Sequence, residues 1–250
     1  TCCAYWMICL FVTFQFAPFV AAAEIDLPRF PAASPDGNFV TFTWRGDLWK
    51  GAADGGAATR LTSHPADESR SVWSADGTMI AFESTRDGGR NLYTIDPMGG
   101  SLRRVTNTDE ILSISSFSTT PTGEPALDFS ASLDYDLFRS PRPYFVALTG
   151  GEPTRRHGAF GRAAVPSPDG KRFLFERGGS DWARRGYRGS DNCDVWMYDT
   201  SATGDAMFVQ LTDFQGNDGW AQWRNDSSFL FLSDRDLATV NVFVQDANGR

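Results

Sequence analysis

The sequence predicts an all-β fold, a β-propeller built from four-stranded antiparallel blades, and three observations carry that expectation. A turn-and-strand motif recurs as "ASPDGNFVTF" (33–42), "WSADGTMIAF" (73–82), "PSPDGKRFLF" (166–175) and "WRNDSSFLFL" (223–232). Asp36 and Asp76 lie 40 positions apart, which matches the period of a propeller blade, about 40–45 residues. With 13 Pro, 24 Gly and 20 Phe in 250 residues, the composition favours many turns and strands over helices.

The first copy reads as follows. In "SPDG", Pro35 presets φ at the second turn position, Gly37 suits the fourth, and the Ser34 side chain can cap the turn. Phe39 to Trp44 has strand composition and "GD" (46–47) turns the chain. "DLWK" (47–50) is the next strand, "ADGG" (53–56) the next turn and "ATRLT" (58–62) a short fourth strand. Short Gly-containing links between such runs make hairpins. The blade begins at about Arg29. In the second copy "SVWS" (71–74), "TMIAFES" (78–84), "NLYTID" (91–96) and "LRRVT" (102–106) are strands, separated by turns at 75–77, 86–90 and 97–100.

Later copies are stretched. The third is worn: "STTPTGEPALDFSAS" (118–132), then "YFVALTGGEPTR" (144–155). The fourth keeps "VPSPDGKRFLFE" (165–176), "DVWMYD" (194–199) and "FVQLTDF" (208–214), with a 17-residue insertion, 177–193, between its central strands. The fifth has "WAQWRNDSSFLFLSDRD" (220–236) and "NVFVQDANG" (241–249), three strands. A lone sheet of this size cannot bury two apolar faces, whereas radial stacking buries both. Trp49, Tyr93, Phe145, Trp196 and Phe243 recur at one place per copy and are expected to fill the layer between blades. About five of an expected six blades are present, an incomplete ring with an open edge.

The propeller occupies 24–250. Ahead of it, residues 1–23 include the uncharged run "YWMICLFVTFQFAPFVAAA" (5–23). Its Ala21-Ala22-Ala23 ending resembles a secretory signal cleaved before Glu24; a membrane anchor is the alternative. Cys2, Cys3 and Cys9 fall in this leader. Cys193 alone follows it, so the mature part is expected to form no internal disulfide. The formal net charge is −8, without the basic footprint of a nucleic-acid binder, so no nucleic-acid partner is expected.

The S-P-D-G turn, an apolar strand ending in Phe, an aromatic strand, G-G and L-T together resemble the PD40 (TolB-like) propeller repeat. Two features narrow the resemblance to the N-terminal propeller of tricorn-like serine proteases. The first blade follows the leader within a few residues, with no room for the α/β domain that precedes a TolB propeller. "DWARRGYRGSDNCDVWMYD" (181–199) resembles a tricorn segment through Trp182, Tyr187, Arg188, Gly189 and Trp196. The resemblance covers about 29–250. It implies a larger enzyme with a second propeller, a PDZ domain and a serine-peptidase core, in which propellers control passage of peptides. One departure is the link "NTDEILSI" (107–114). It is acidic and lacks Arg, where the archaeal proteins carry paired arginines that hold a substrate carboxylate.

No catalytic residue is expected within these 250 residues. There is no G-x-S-x-G elbow, no H-E-x-x-H or paired C-x-x-C, and no Gly-rich phosphate loop after a strand. His64 and His157 fall in links between blades. Asp134/Asp136 and Asp234/Asp236 read as loop features, short of a calcium site. No cofactor or metal is expected. Nine basic residues lie between 155 and 188: Arg155, Arg156, Arg162, Lys171, Arg172, Arg177, Arg184, Arg185 and Arg188. Arg is suited to bidentate carboxylate contacts. The candidate partner-contact residues are Arg184, Arg185, Tyr187 and Arg188, against a plainer reading in which these arginines pair with neighbouring aspartates.

The expected function is a non-catalytic propeller of an exported tricorn-like serine peptidase. Its expected partners are the C-terminal domains of the same protein, and peptides or proteins; a homo-oligomer is possible. The alternatives are a stand-alone TolB-like binding propeller of the cell envelope and a dipeptidyl-peptidase relative. The leader argues for export, while the archaeal proteins resembled are cytoplasmic.

Overall fold

The computed structural model describes residues 24–134, 140–180, 184 and 186–248. Residues 1–23, read from the sequence as a leader, lie outside the described residues. Among the described residues, nineteen strands and one 3₁₀ turn, Gly204–Met207, make up the regular structure. They form five antiparallel sheets in strict chain order.

Blade one holds β1 (Arg29–Ala33), β2 (Phe39–Trp44), β3 (Asp47–Ala52) and β4 (Thr59–Arg60). Blade two holds β5 (Glu68–Trp73), β6 (Ile80–Ser84), β7 (Asn91–Ile95) and β8 (Arg103–Arg104). Blade three holds β9 (Ser113–Thr119), β10 (Pro125–Ala131), β11 (Arg142–Ala147) and β12 (Thr154–Arg155). Blade four holds β13 (Arg162–Pro166), β14 (Arg172–Arg177), β15 (Asp194–Asp199) and β16 (Phe208–Gln210). Blade five has three strands among the described residues: β17 (Asp218–Asn225), β18 (Ser228–Asp236) and β19 (Thr239–Asp246). Each first strand packs beside the first strand of the next blade, so β1, β5, β9, β13 and β17 form the inner row.

The repeated turn is held by its own side chains. Ser34 donates from Oγ to Asp36 Oδ1 at 2.5 Å while its oxygen accepts the Phe39 N–H at 2.9 Å. Ser74 and Ser167 repeat both bonds, to Asp76 and Met79 and to Asp169 and Arg172. These serine hydroxyls are the main reason that the Asp36, Asp76 and Asp169 carboxyls sit below the usual carboxylate range. In blade five Asn225, not Asp226, caps the turn, accepting the Ser227 and Ser228 N–H groups. Asp226 instead accepts the Asp169 N–H of the neighbouring turn at 3.2 Å.

The L-T ending has a similar explanation. The fourth strand is only two or three residues long, so the next N–H of the third strand needs another acceptor. Thr62, Thr106 and Thr212 supply it, taking the N–H groups of Leu48, Leu92 and Val195 at 2.9 Å each.

Register identifies the aromatic layer. Trp49, Tyr93, Trp196 and Phe243 stand opposite Phe42, Phe82, Phe175 and Phe231. In blade three the partner of Phe129 is Tyr144, not Phe145. That expectation was one residue out, and in a strand one residue is the opposite face.

Every first strand carries a register irregularity opposite that phenylalanine, or beside it in blades two and three. At the bulge, Phe30, Arg70, Ala163 and Trp220 adopt positive φ of 53°, 36°, 56° and 49°. Such values are costly for residues with a Cβ. The preceding blade supports two of these positions, Ala163 and Trp220, and the irregular stretch of β9 at Ile114 in the same way. Glu83 accepts the Ile114 N–H at 2.9 Å, Ser130 the Ala163 N–H at 2.9 Å, and Glu176 the Trp220 N–H.

Three apolar clusters join successive blades. Leu48, Ile80 and Phe82 belong to the cluster between blades one and two; Leu92, Leu112 and Phe129 to the one between two and three; Val195, Ala221 and Phe231 to the one between four and five. Among the described residues no such cluster bridges blades three and four. There the Arg156 guanidinium lies between Phe145 (4.2 Å) and Phe173 (4.5 Å). His157 packs against Phe175, Tyr198 and Phe208.

Candidate functional site

The loops joining second to third strands and the links between blades share one end of the inner row. Two features lie at that end: the excursion between β14 and β15, which the structure starts at 178 because Arg177 belongs to β14, and a cleft between blades one and two.

The insertion is tied to blade five through Asp234, which is buried at the end of β18. Its carboxylate takes the Gly186 N–H at 3.1 Å, the Asn217 N–H at 3.1 Å and Arg188 Nη1 at 3.2 Å. Arg188 also lies 4.8 Å from the Phe214 ring centroid. Arg184 stacks on the Tyr187 ring at 4.1 Å. Thus three of the four sequence-predicted contact residues are placed: Arg188 holds the loop, and Arg184 and Tyr187 cover each other. Arg185 and Trp182 lie outside the described residues.

The remaining basic residues of this segment are dispersed. Arg155 pairs with Asp134 at 2.6 Å, Arg156 with buried Asp128 at 2.6 Å, and Arg162 with Glu176 at 3.0 Å. Arg177 stacks on Trp196 at 4.6 Å, and Arg172 on Trp223 at 5.0 Å. Burial pushes Asp128 up to about 6 despite Arg156.

The other groups singled out in the sequence are scattered. Exposed His64 accepts the Ala66 N–H at 3.1 Å. His157 is buried, and burial pushes its pKa down to about 4. The Cys193 thiol is buried and, chiefly for that reason, pushed up to about 12, the opposite of an activated nucleophile. Asp134 accepts from Arg155 and Tyr144, while Asp236 lies near Asn241. Asp136 lies outside the described residues. Among the described residues no three His, Cys, Asp or Glu side chains gather where a metal could sit.

The cleft between blades one and two was not foreseen from the sequence. Its volume is about 660 Å³, and Phe30, Arg45, Arg70 and Glu83 are among its walls. Arg70 bridges three blades: its guanidinium lies 5.1 Å from the Phe30 ring centroid and donates to Ser113 Oγ at 2.5 Å. Glu83 is fully buried, and burial holds its carboxyl above the usual range against the pull of Arg70 and Arg90. Positive φ normally announces itself as Gly, and here the positions are Phe and Arg. Only the register of the folded sheet reveals them.

A family model described as the tricorn protease N-terminal beta propeller domain matches residues 26–250. The chain belongs to this family. Tricorn protease homolog 1 of Streptomyces coelicolor is 30% identical over 219 residues, covering 83% of this chain and 19% of that protein. The chain therefore spans about a fifth of that curated relative. The crystal structure of the tricorn protease superposes with a TM-score of 0.71 at 18% identity, covering 91% of this chain and 22% of the other. A putative TolB from Agrobacterium tumefaciens gives 0.66 at 19% identity, covering 89% and 78%. These two similarities establish the fold of this tricorn-type propeller.

Proposed function

We propose that the chain is the non-catalytic N-terminal propeller of a tricorn-like serine peptidase, which governs the passage of peptides and supports assembly with C-terminal PDZ and protease domains. The family match across 26–250 carries the reading. The inner row of first strands supports it, because a row of bulges facing an axis can select what travels along it. We further place the protein outside the cytoplasm on the strength of the apolar run 5–23; cell fractionation would test this, and a purely cytosolic, unprocessed product would refute it.

Narrowing the row tests the gating reading in the full-length protein. Ala163 is a small bulge residue, and Trp220 already occupies the equivalent backbone conformation in the next blade. Ala163→Trp should slow hydrolysis of a long unstructured peptide several-fold and leave a short chromogenic substrate unchanged. Equal effects on both, or none on either, would refute gating along this axis.

A further inference from the structure

We propose that the cleft between blades one and two is a docking site for a peptide segment carrying a large apolar side chain beside an acidic one. This rests on the reading that the propeller handles peptides. Among the described residues, nine non-glycine residues have positive φ, and four of them line this one cleft: Leu27, Phe30, Arg45 and Arg70. Strained backbone clusters where a ligand is clamped, provided the surroundings hold it in place. The surroundings do so here. Arg70 is fixed between Phe30 and Ser113, and Trp44 Nε1 donates to Asp26 at 3.2 Å.

The cleft's size falls within the range of ligand sites, about 300–1,000 Å³. Its apolar side is open: Leu27 is 82% exposed and Phe30 40%. Its charged side is unevenly matched. Glu68 and Glu83 are buried and engaged, Glu68 with Arg86, and Glu83 with the Ile114 N–H and Ser69. The exposed groups are three guanidinium groups, Arg29, Arg45 and Arg70, against two carboxylates, Asp26 and Asp67. Arg70 lies 3.9 Å from Glu83, beyond hydrogen-bond reach. With Nη1 turned to Ser113, the rest of its planar fork remains for a carboxylate brought by a ligand.

The test is calorimetric titration of the full-length protein, its peptidase activity blocked with a serine-reactive inhibitor, with blocked tetrapeptides Ac-Ala-X-Z-Ala-NH₂. Phe-Glu should bind at least tenfold more tightly than Phe-Gln, Ala-Glu or Phe-Lys. Arg45→Gln and Arg70→Gln should each shrink the Glu-over-Gln preference and keep the Phe preference. Phe30→Ala should do the reverse. Arg45 is exposed and stacks on Trp44 at 4.5 Å, so its variant guards against misfolding at Arg70. Equal binding of all four peptides, or preferences untouched by the three variants, would overturn the site. Hydrolysis is not the readout, so a failed gating test leaves this result interpretable. Loss of this site likewise leaves the Ala163→Trp result standing.

Discussion

His157 is a neutral imidazole enclosed by three aromatic rings between blades three and four. Its folded pKa, about 4, lies below the ordinary 6.5. A base with a lowered folded pKa binds its proton first in the unfolded chain. Its stability contribution is intact above pH 6.5 and drains away as pH falls toward 4, by about 3 kcal/mol over the whole window. Asp128 acts in the opposite sense: with its folded pKa raised to about 6, it favours the folded state as pH falls from 6. Comparing wild type with His157→Phe removes the Asp128 contribution. The variant should lie within about 1.5 kcal/mol of wild type at pH 7 and gain on it steadily at pH 6 and 5, read from urea midpoints. A difference that stays constant with pH would show that the imidazole does not titrate as described. The sequence placed this histidine in a link between blades; its burial depends on residues far along the chain, Tyr198 and Phe208.

At the scale of elements, the strands and turns were legible because their chemistry is local. β2 and β15 run over the spans read from the sequence, 39–44 and 194–199, and each Ser-Asp turn closes within six residues. What stayed hidden depends on cross-blade register. The bulges lack Gly, the Glu83, Ser130 and Glu176 supports lie more than thirty positions from the N–H they accept, and blade three's aromatic was misplaced by one. Glu176 makes the clearest test. It holds Arg162 at 3.0 Å and the Trp220 N–H. Glu176→Ala removes the carboxylate beside Arg162, which keeps its contacts to the Ser180 carbonyl and Cys193 Sγ, and takes this acceptor from the Trp220 N–H, and should cost about 2 kcal/mol. Glu176→Gln keeps an acceptor and should cost roughly half of that. The urea midpoint should move while the slope stays fixed; equal losses for the two variants would mean that packing, not the acceptor, matters.

Across the whole molecule the joints between blades are unequal. Apolar clusters close three of them, and an arginine between two rings with a neutral imidazole closes the fourth. The 178–193 excursion straps blade four to blade five through buried Asp234, to which Gly186 and Arg188 give two of the three donors. Replacing 180–190 by a short Gly-Ser link should therefore destabilise the protein by about 2 kcal/mol, and adding Asp234→Asn should recover part of the loss. No loss on shortening would mean that the strap contributes nothing. The basic run was easy to see in the sequence, but its fate was not, because the acids it meets, Asp128, Glu176 and Asp234, are spread over three sheets.

Arg177 and Asp194 remain register partners although 16 residues separate them in the chain. The ladder is already shut at the root of that excursion, so the loop's length is not transmitted to the strands that follow. Once the Asp234 charge is neutralised, this corner becomes a natural splice point, where a reporter or a foreign module could be carried while the spacing of the spokes is left alone.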